Sequence, residues 1–481
     1  MSHSTVAQPI STRSPFSSFV GRSASFSNNI LPPEILVEIF FLVCNIQANA
    51  CPARIDVDRP KRNNHPFSKE PVILSHVCSQ WRQIVVSQAS LWSHIDVFPD
   101  RFNDPILSAR SETYAARSSQ ALLDVHIVIS YLHAIPDGMF TIGFSFLTAI
   151  APRIQSLTVH SACGDIAGEL CSSAVTACFA NCVPGILTQV SIETVIVSQW
   201  DASINTGINH HQIKESALEA VWLPVKFLRL ELFWVKWDSK AFHGLTELRL
   251  SAYLPIGRSE LKSILLSSPQ LCVLELDDPD IEDFFDDDSP PTPIHLGNLE
   301  ILSLSWVTDR HLGSILQLIV PGTKPLSLSI LNPYQDGSNF TSKAELQRFV
   351  SRSNITRLCT NQFQSYPQLG EVLSLMPNVS VLGIARFSCD SLDGETTLSP
   401  NRTLDALYII KSTNPELNSF TWPSIETFVR RHSVRKLTLW KCDFRYCGID
   451  ESGLMPNTLY TICPVVRLVR DQEPNPIEDW C

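Results

Sequence analysis

The sequence contains no uninterrupted apolar run of the roughly 18 residues that a membrane-spanning helix needs. Its most hydrophobic stretch, ILVEIFFLVC, is preceded by Glu34 and interrupted by Glu38. No apolar h-region stands near the N-terminus, so no secretory signal is expected. Basic residues are outnumbered: 37 Lys and Arg against 48 Asp and Glu give a net charge of -11. Nucleic-acid binding is therefore not expected, because it calls for a basic stripe. The 14 cysteines show no paired spacings. Without a signal peptide they read as reduced thiols of the cytosol or nucleus. Also missing are G-x-S-x-G, H-E-x-x-H, Walker A and G-x-G-x-x-G. No catalytic residue, cofactor or metal is expected, and an enzyme is disfavoured.

What remains is an ordinary globular composition, 44% hydrophobic and 18% charged, with ample apolar material for a core. Residues 1–29 are Ser-rich and free of acids. A transit peptide shares that composition, but two arginines and interrupting prolines make a poor one, and the expectation is a disordered tail.

Order begins at LPPEILVEIFFLV. Pro32 and Pro33 suit the first turn of a helix, where their missing N–H groups cost nothing. Ile35, Leu36, Ile39, Phe40, Leu42 and Val43 then give an apolar face too wide to be covered from one side only. Residues 47–70 are polar and read as a loop. A second helix is expected where Leu74, Val77, Cys78, Trp81, Ile84 and Val85 form one stripe, with a third apolar patch at Leu91, Trp92 and Ile95. These short helices carry more apolar surface than they can hide among themselves, which calls for a partner.

Beyond residue 100 a triplet recurs: apolar, two residues, aliphatic, one residue, aliphatic. It starts at Leu122, Ile154, Leu187, Val225, Leu245, Leu271, Leu299, Ile355, Val379, Leu404 and Val434, with a weaker copy at Pro325. From Val225 onward the starts lie 20 to 30 residues apart, and before it 32 to 38. That period points to leucine-rich repeats: one short parallel strand per repeat, and a helix or loop returning outside. RSELKSILLSS and DRHLGSILQLI are expected return helices. The position where a regular repeat holds Asn or Cys is satisfied cleanly only at Cys442, so the solenoid should be irregular.

The N-terminal segment resembles an F-box, of the type common in a large fungal group. The likeness rests on the Leu31-Pro32 start, the Ile35/Leu36 and Ile39/Phe40 pairs, the VC-x-x-WR run from Val77 to Arg82, and the closing Leu91-Trp92. The loop between the first two helices is longer than in a compact F-box. The resemblance implies a non-catalytic substrate receptor of a Skp–cullin–F-box ubiquitin ligase. Its docking on a Skp-type adaptor, and through that on a cullin, would use Leu31, Pro32, Ile35, Leu36, Ile39 and Phe40. Val77, Cys78, Trp81, Leu91 and Trp92 would share or support that role. Whether Trp81 docks or serves the internal core stays open. The alternative is a binding scaffold that does not lead to ubiquitin transfer.

The repeats would hold a target protein that the sequence does not name. Side chains alternate along a strand, so Arg229, Glu231, Glu247, Arg249, Glu275 and Asp277 should share the concave face on neighbouring rungs. They are either a target-binding patch or a set of mutual charge pairs. The eight acids between Asp277 and Asp288 lack the glycine of a calcium loop and read as a solvated loop. Cys163, Cys171, Cys178 and Cys182 lack zinc spacing, as do Cys442 and Cys447; His210 and His211 read as loop. The expectation is an α/β chain. A helical F-box domain (30–97) precedes an irregular leucine-rich-repeat-like solenoid with a parallel sheet (98–470), then a C-terminal tail (471–481).

Overall fold

The computed structural model describes residues 31–48, 70–102, 104–129, 141–162, 165–195, 206–207, 213–251, 255–282, 292–331, 343–361, 366–385, 403–410, 422–440, 457–469 and 476–477. The expected tail 1–29, Cys163, Cys442, Cys447, His210, His211 and the acids from Asp283 to Asp288 lie outside them, as do residues 49–69 of the expected loop.

Helix α1 runs over Pro33–Ala48. The Pro32 carbonyl accepts from the Ile35 and Leu36 amides at 3.0 and 3.1 Å, so the proline pair opens the first turn as its chemistry requires. The single second helix expected from the apolar stripe is in fact two, α2 (Glu70–Ser75) and α3 (Ser79–Ser87). The break has local causes. His76 and Val77 make i→i−3 turn bonds. Arg82 Nε donates to the Ser75 carbonyl at 2.9 Å, satisfying the end of α2. Cys78 adopts an extended backbone and caps α3, its sulfur accepting from the Trp81 amide at 3.4 Å. A stripe can continue across such a break, so spacing alone did not reveal it.

Among the described residues, fourteen strands follow in one sheet, all parallel and ordered as in the chain. In this main sheet they are β1 (His94–Val97), β2 (Leu123–Ile129), β3 (Ile154–Ala162), β4 (Gln189–Val195), β5 (Phe227–Glu231), β6 (Glu247–Ser251) and β7 (Val273–Asp277). Then come β8 (Ile301–Ser305), β9 (Leu326–Leu331), β10 (Ile355–Thr360), β11 (Val381–Ala385), β12 (Ala406–Ile410), β13 (Lys436–Trp440) and β14 (Val465–Val469). Each of the twelve recurring triplets forms one of these strands. The triplet puts aliphatics at alternate positions, and these register across neighbours: Leu228, Leu248, Leu274, Leu302 and Leu328 form one row, each fully buried. A parallel sheet buried on this face needs such unbroken rows. Below the strands the backbone ladder continues, Thr246 donating to Lys226, Cys272 to Thr246 and Glu300 to Cys272.

The returns are irregular. Between β1 and β4 they hold α4 (Pro105–Arg117), α5 (Thr141–Ile150) and α6 (Asp165–Asn181). Later ones hold α7 (Glu215–Trp222), α8 (Arg258–Ser267), α9 (Asp309–Leu318), α10 (Lys343–Ser351), α11 (Tyr366–Leu375), α12 (Trp422–Arg431) and α13 (Asn457–Ile462). Both expected return helices form, and α8 buries Leu261, Ile264 and Leu265 against the sheet. The shortest return, between β5 and β6, holds no α-helix, only a two-residue strand at Phe233–Trp234 and a 3-10 turn at Lys240–Phe242. Cys171 and Cys178 lie on α6 and Cys182 directly after its end, all inside the core; burial pushes the thiols of Cys171 and Cys182 up to about 12. Such thiols are packing groups, neither nucleophiles nor ready ligands.

One hydrophobic core runs from Leu36 and Phe40 on α1, through every strand row, to Cys463. The helical segment is thus welded to the sheet, and β1, the first strand, starts two residues after Trp92. Among the described residues no helix is long and apolar enough to cross a membrane.

Candidate functional site

Two surfaces gather the residues singled out by sequence. The first is α1. Leu36, Phe40 and Cys44 recur every fourth residue and are buried in the common core. The opposite side keeps Leu31, Ile35, Ile39, Leu42 and Val43 exposed, with Leu42 at 63%. Pro32 is also exposed. Val77 stands exposed in the turn before α3, close in sequence to exposed Ile73 and Val86. The eleven expected docking residues therefore divide. Leu31, Pro32, Ile35, Ile39, Val77 and the α3 cap Cys78 are accessible, whereas Leu36, Phe40, Leu91 and Trp92 are core. Trp81 lies between: its ring packs on Phe40 at 4.8 Å, and the side chain stays partly exposed. Trp92 is fully buried. Its Nε1 donates to the Val85 carbonyl at 2.8 Å, Tyr114 meets it edge-on at 5.0 Å, and the Arg117 guanidinium lies 4.3 Å from its ring centre.

The second surface is the face of the sheet turned away from the core. Register brings all six expected residues there: Arg229, Arg249 and Glu275 in one row, Glu231 and Asp277 in the next, and Glu247 one step below. Like charges opposite one another repel, so Arg229 and Arg249 each take a partner from the other side. Arg249 bonds Glu275 at 2.9 Å and approaches Glu247 at 3.7 Å; Arg229 pairs with Glu193 on β4 at 3.1 Å. Ser251 donates to Asp277 at 2.9 Å. The patch is a half-buried, internally paired polar network able to exchange its hydrogen bonds with a polar ligand.

Beside it, at the C-terminal ends of β5 to β7, an apolar cleft is lined by Leu230, Phe233, Trp237, Ile256, Leu276 and Pro279. Leu232, Asp278 and Trp306 each follow a strand with positive φ of 54°, 52° and 57°. Each donates its amide to the last strand residue of the next repeat, Ser251, Ser305 and Leu331 respectively. A left-handed Leu or Trp carries a local steric cost, which these bonds between neighbouring repeats offset; of the three, Asp278 lines the cleft.

Sequence reading missed the two ends of the same face. At one end His94, Asp96, Asp124, His126, His160 and Glu193 converge from β1 to β4. His94 Nδ1 meets Asp124 at 2.7 Å, and His94 Nε2 and His126 Nδ1 meet the same Asp96 oxygen at 3.4 and 3.1 Å. His126 and His160 rings meet edge-on at 4.8 Å. Burial works against a charged His94, yet its bonds to Asp124 and Asp96, with their negative charge, raise it to about 10. Burial likewise opposes the Asp96 carboxylate, but the bonds from His126 and His94 hold it well below the usual range. His160 goes the other way, down to about 3, through burial first and then its neighbours His126 and Arg229, which outweigh Glu193 at 3.4 Å from its Nδ1. The signal was present as the mirrored HID and DVH strings, legible only once both are known to be adjacent strands.

At the other end the face turns apolar. Cys359 and Ile410 are buried there under Ile477, with Leu331, Val381, Tyr408 and Trp440 around them. Ile477 comes from the expected C-terminal tail and is only 2% exposed. A scan of the sequence against protein-family models matched none, and a comparison with curated proteins returned no similar chain.

Proposed function

We propose that this chain is the substrate-recognition subunit of a Skp–cullin–F-box ubiquitin ligase, acting in the cytosol or nucleus. Its N-terminal helices dock the Skp-type adaptor, which brings the cullin, and the second face of the sheet holds a target protein. The observation that carries this reading is the two-sided α1. One side is committed to the solenoid, while the other presents Leu31, Ile35, Ile39, Leu42 and Val43 to the surface. These exposed positions include the leading residues of the F-box resemblance. Each apolar anchor fully buried on docking contributes roughly 1.5–3 kcal/mol, so a few suffice for a tight interface. The subunit does no bond chemistry. It raises the effective concentration of a target lysine beside the ubiquitin thioester. The paired polar patch around Arg249 and the cleft beside Trp237 suit a target segment with polar groups and one apolar anchor.

The test is co-purification with the Skp-type adaptor of the same cell. The intact chain should bring it down stoichiometrically, and the Ile35→Asp/Ile39→Asp double variant should not, with its far-UV circular dichroism unchanged. Absence of the adaptor from both would sink the proposal. Adaptor binding without cullin-dependent loss of any target would leave a scaffold instead of a receptor.

A further inference from the structure

We propose that His94, Asp96 and His126 form a binding site for a divalent transition-metal cation of the zinc class, with Asp124 orienting His94. The three ligand atoms all lie within 4.8 Å of one another. Tetrahedral bonds of about 2.0–2.1 Å place neighbouring ligand atoms about 3.3 Å apart. His94 Nε2 and His126 Nδ1 stand 3.4 and 3.1 Å from one Asp96 oxygen, already near that spacing. The sheet itself sets this geometry. His94 and Asp96 are two apart on β1, so they share a face, and the parallel register puts His126 of β2 opposite Asp96.

A second feature points the same way. A metal-bound imidazole characteristically gives its other nitrogen to a carboxylate, which fixes ring and tautomer. His94 does so: its Nδ1 meets Asp124 Oδ2 at 2.7 Å, and its Nε2, now 3.4 Å from Asp96, faces the cluster centre, where a cation would take the place of its proton. His126 is held by the His160 ring against it. Side-chain exposure is 17% at His94, 8% at Asp96 and 5% at His126, so the ligands sit in a preformed, sheltered position. The donor set selects the cation class. Two imidazoles and a carboxylate suit zinc, cobalt or nickel. Calcium and magnesium want six or more oxygens, which this cluster lacks. Three protein ligands leave a fourth position for water or for a side chain of a bound partner. The cation would clamp β1 to β2, at the joint between the helical segment and the sheet.

The experiment uses the full chain, expressed without a histidine tag and stripped with a chelator, then titrated with Co²⁺ and with Zn²⁺. One Co²⁺ per chain should bind, with weak visible bands of nitrogen and oxygen ligands and no intense sulfur charge-transfer absorption; Zn²⁺ should displace it. His94→Gln should abolish this binding, and Asp124→Asn should weaken it about 10–100-fold, each with unchanged far-UV circular dichroism. No stoichiometric binding overturns the proposal, as does a thiolate spectrum or wild-type affinity in His94→Gln. Should His94→Gln fail to fold, X-ray absorption of the zinc-loaded wild type decides. Two imidazoles in the first shell uphold the site, and a sulfur or all-oxygen shell overturns it.

Discussion

Trp92 Nε1 donates to the backbone carbonyl of Val85 across 2.8 Å inside the core. That one bond ties the end of α3 to the residue that leads into β1. It answers why so short a helical segment carries two indoles: Trp92 faces inward to the sheet, and Trp81 straddles core and surface.

Trp92→Ala should therefore cost about 3–5 kcal/mol of stability. Trp92→Phe keeps most of the packing but leaves the Val85 carbonyl only the longer bond from the Gln88 amide at 3.4 Å, for about 0.5–1.5 kcal/mol. Urea unfolding followed by circular dichroism measures both. A Trp92→Ala loss below 1 kcal/mol would contradict the buried position.

Along α1, neighbouring positions should behave oppositely. Ile35→Asp and Ile39→Asp, at exposed sites, should change stability by no more than about 0.5 kcal/mol and remove adaptor binding. Phe40→Ala should cost about 3–5 kcal/mol. Thermal melts beside pull-downs separate the two classes; unfolding by Ile35→Asp would place that side chain in the core.

Ile477→Asp should release the C-terminal tail from Cys359 and Ile410, uncovering their apolar patch. The expected readings are increased binding of a hydrophobic dye and faster proteolysis after residue 470, with the main unfolding transition shifted little. An unchanged dye signal would mean that Ile477 does not cover this patch in solution.

His160 should make stability fall on the acid side. Its folded value is about 3, below the usual 6.5. Between those values the unfolded chain takes up a proton that the folded chain refuses, so stability, full above pH 6.5, declines as pH drops toward 3. His160→Gln should flatten that slope. Urea midpoints at pH 7.5, 6 and 5, in a chelator so that only protons titrate, would show it; parallel slopes in the two proteins would refute the assignment.

The strands were legible because each triplet repeats the period of a strand buried on one face, and twelve of them register as rows. β1 was not, since four residues, HIDV, carry too little pattern and follow a helical stripe directly. β14 was not legible because Cys463, not an aliphatic, stands two residues before it where a triplet would start, and because this edge strand keeps Val465 and Leu468 exposed. The charged patch was readable from alternation alone. Mutual charge pairs, such as Arg249 with Glu247 and Glu275, were one of the two readings left open; the partner of Arg229 was not legible, because Glu193 lies 36 positions away and meets it only through register. The same holds for His94 and His126: two-residue spacing places each ligand on a face, but only strand order places the faces side by side.

Because a single core runs from Phe40 to Cys463, the molecule works as a graduated ruler. Parallel strands step about 4.8 Å, so the thirteen steps between its fourteen strands span roughly 62 Å, by the same spacing. Whatever binds over β5 to β7 sits a fixed number of graduations from α1. Removing one strand and its return would shorten the scale by one division and leave both ends chemically intact.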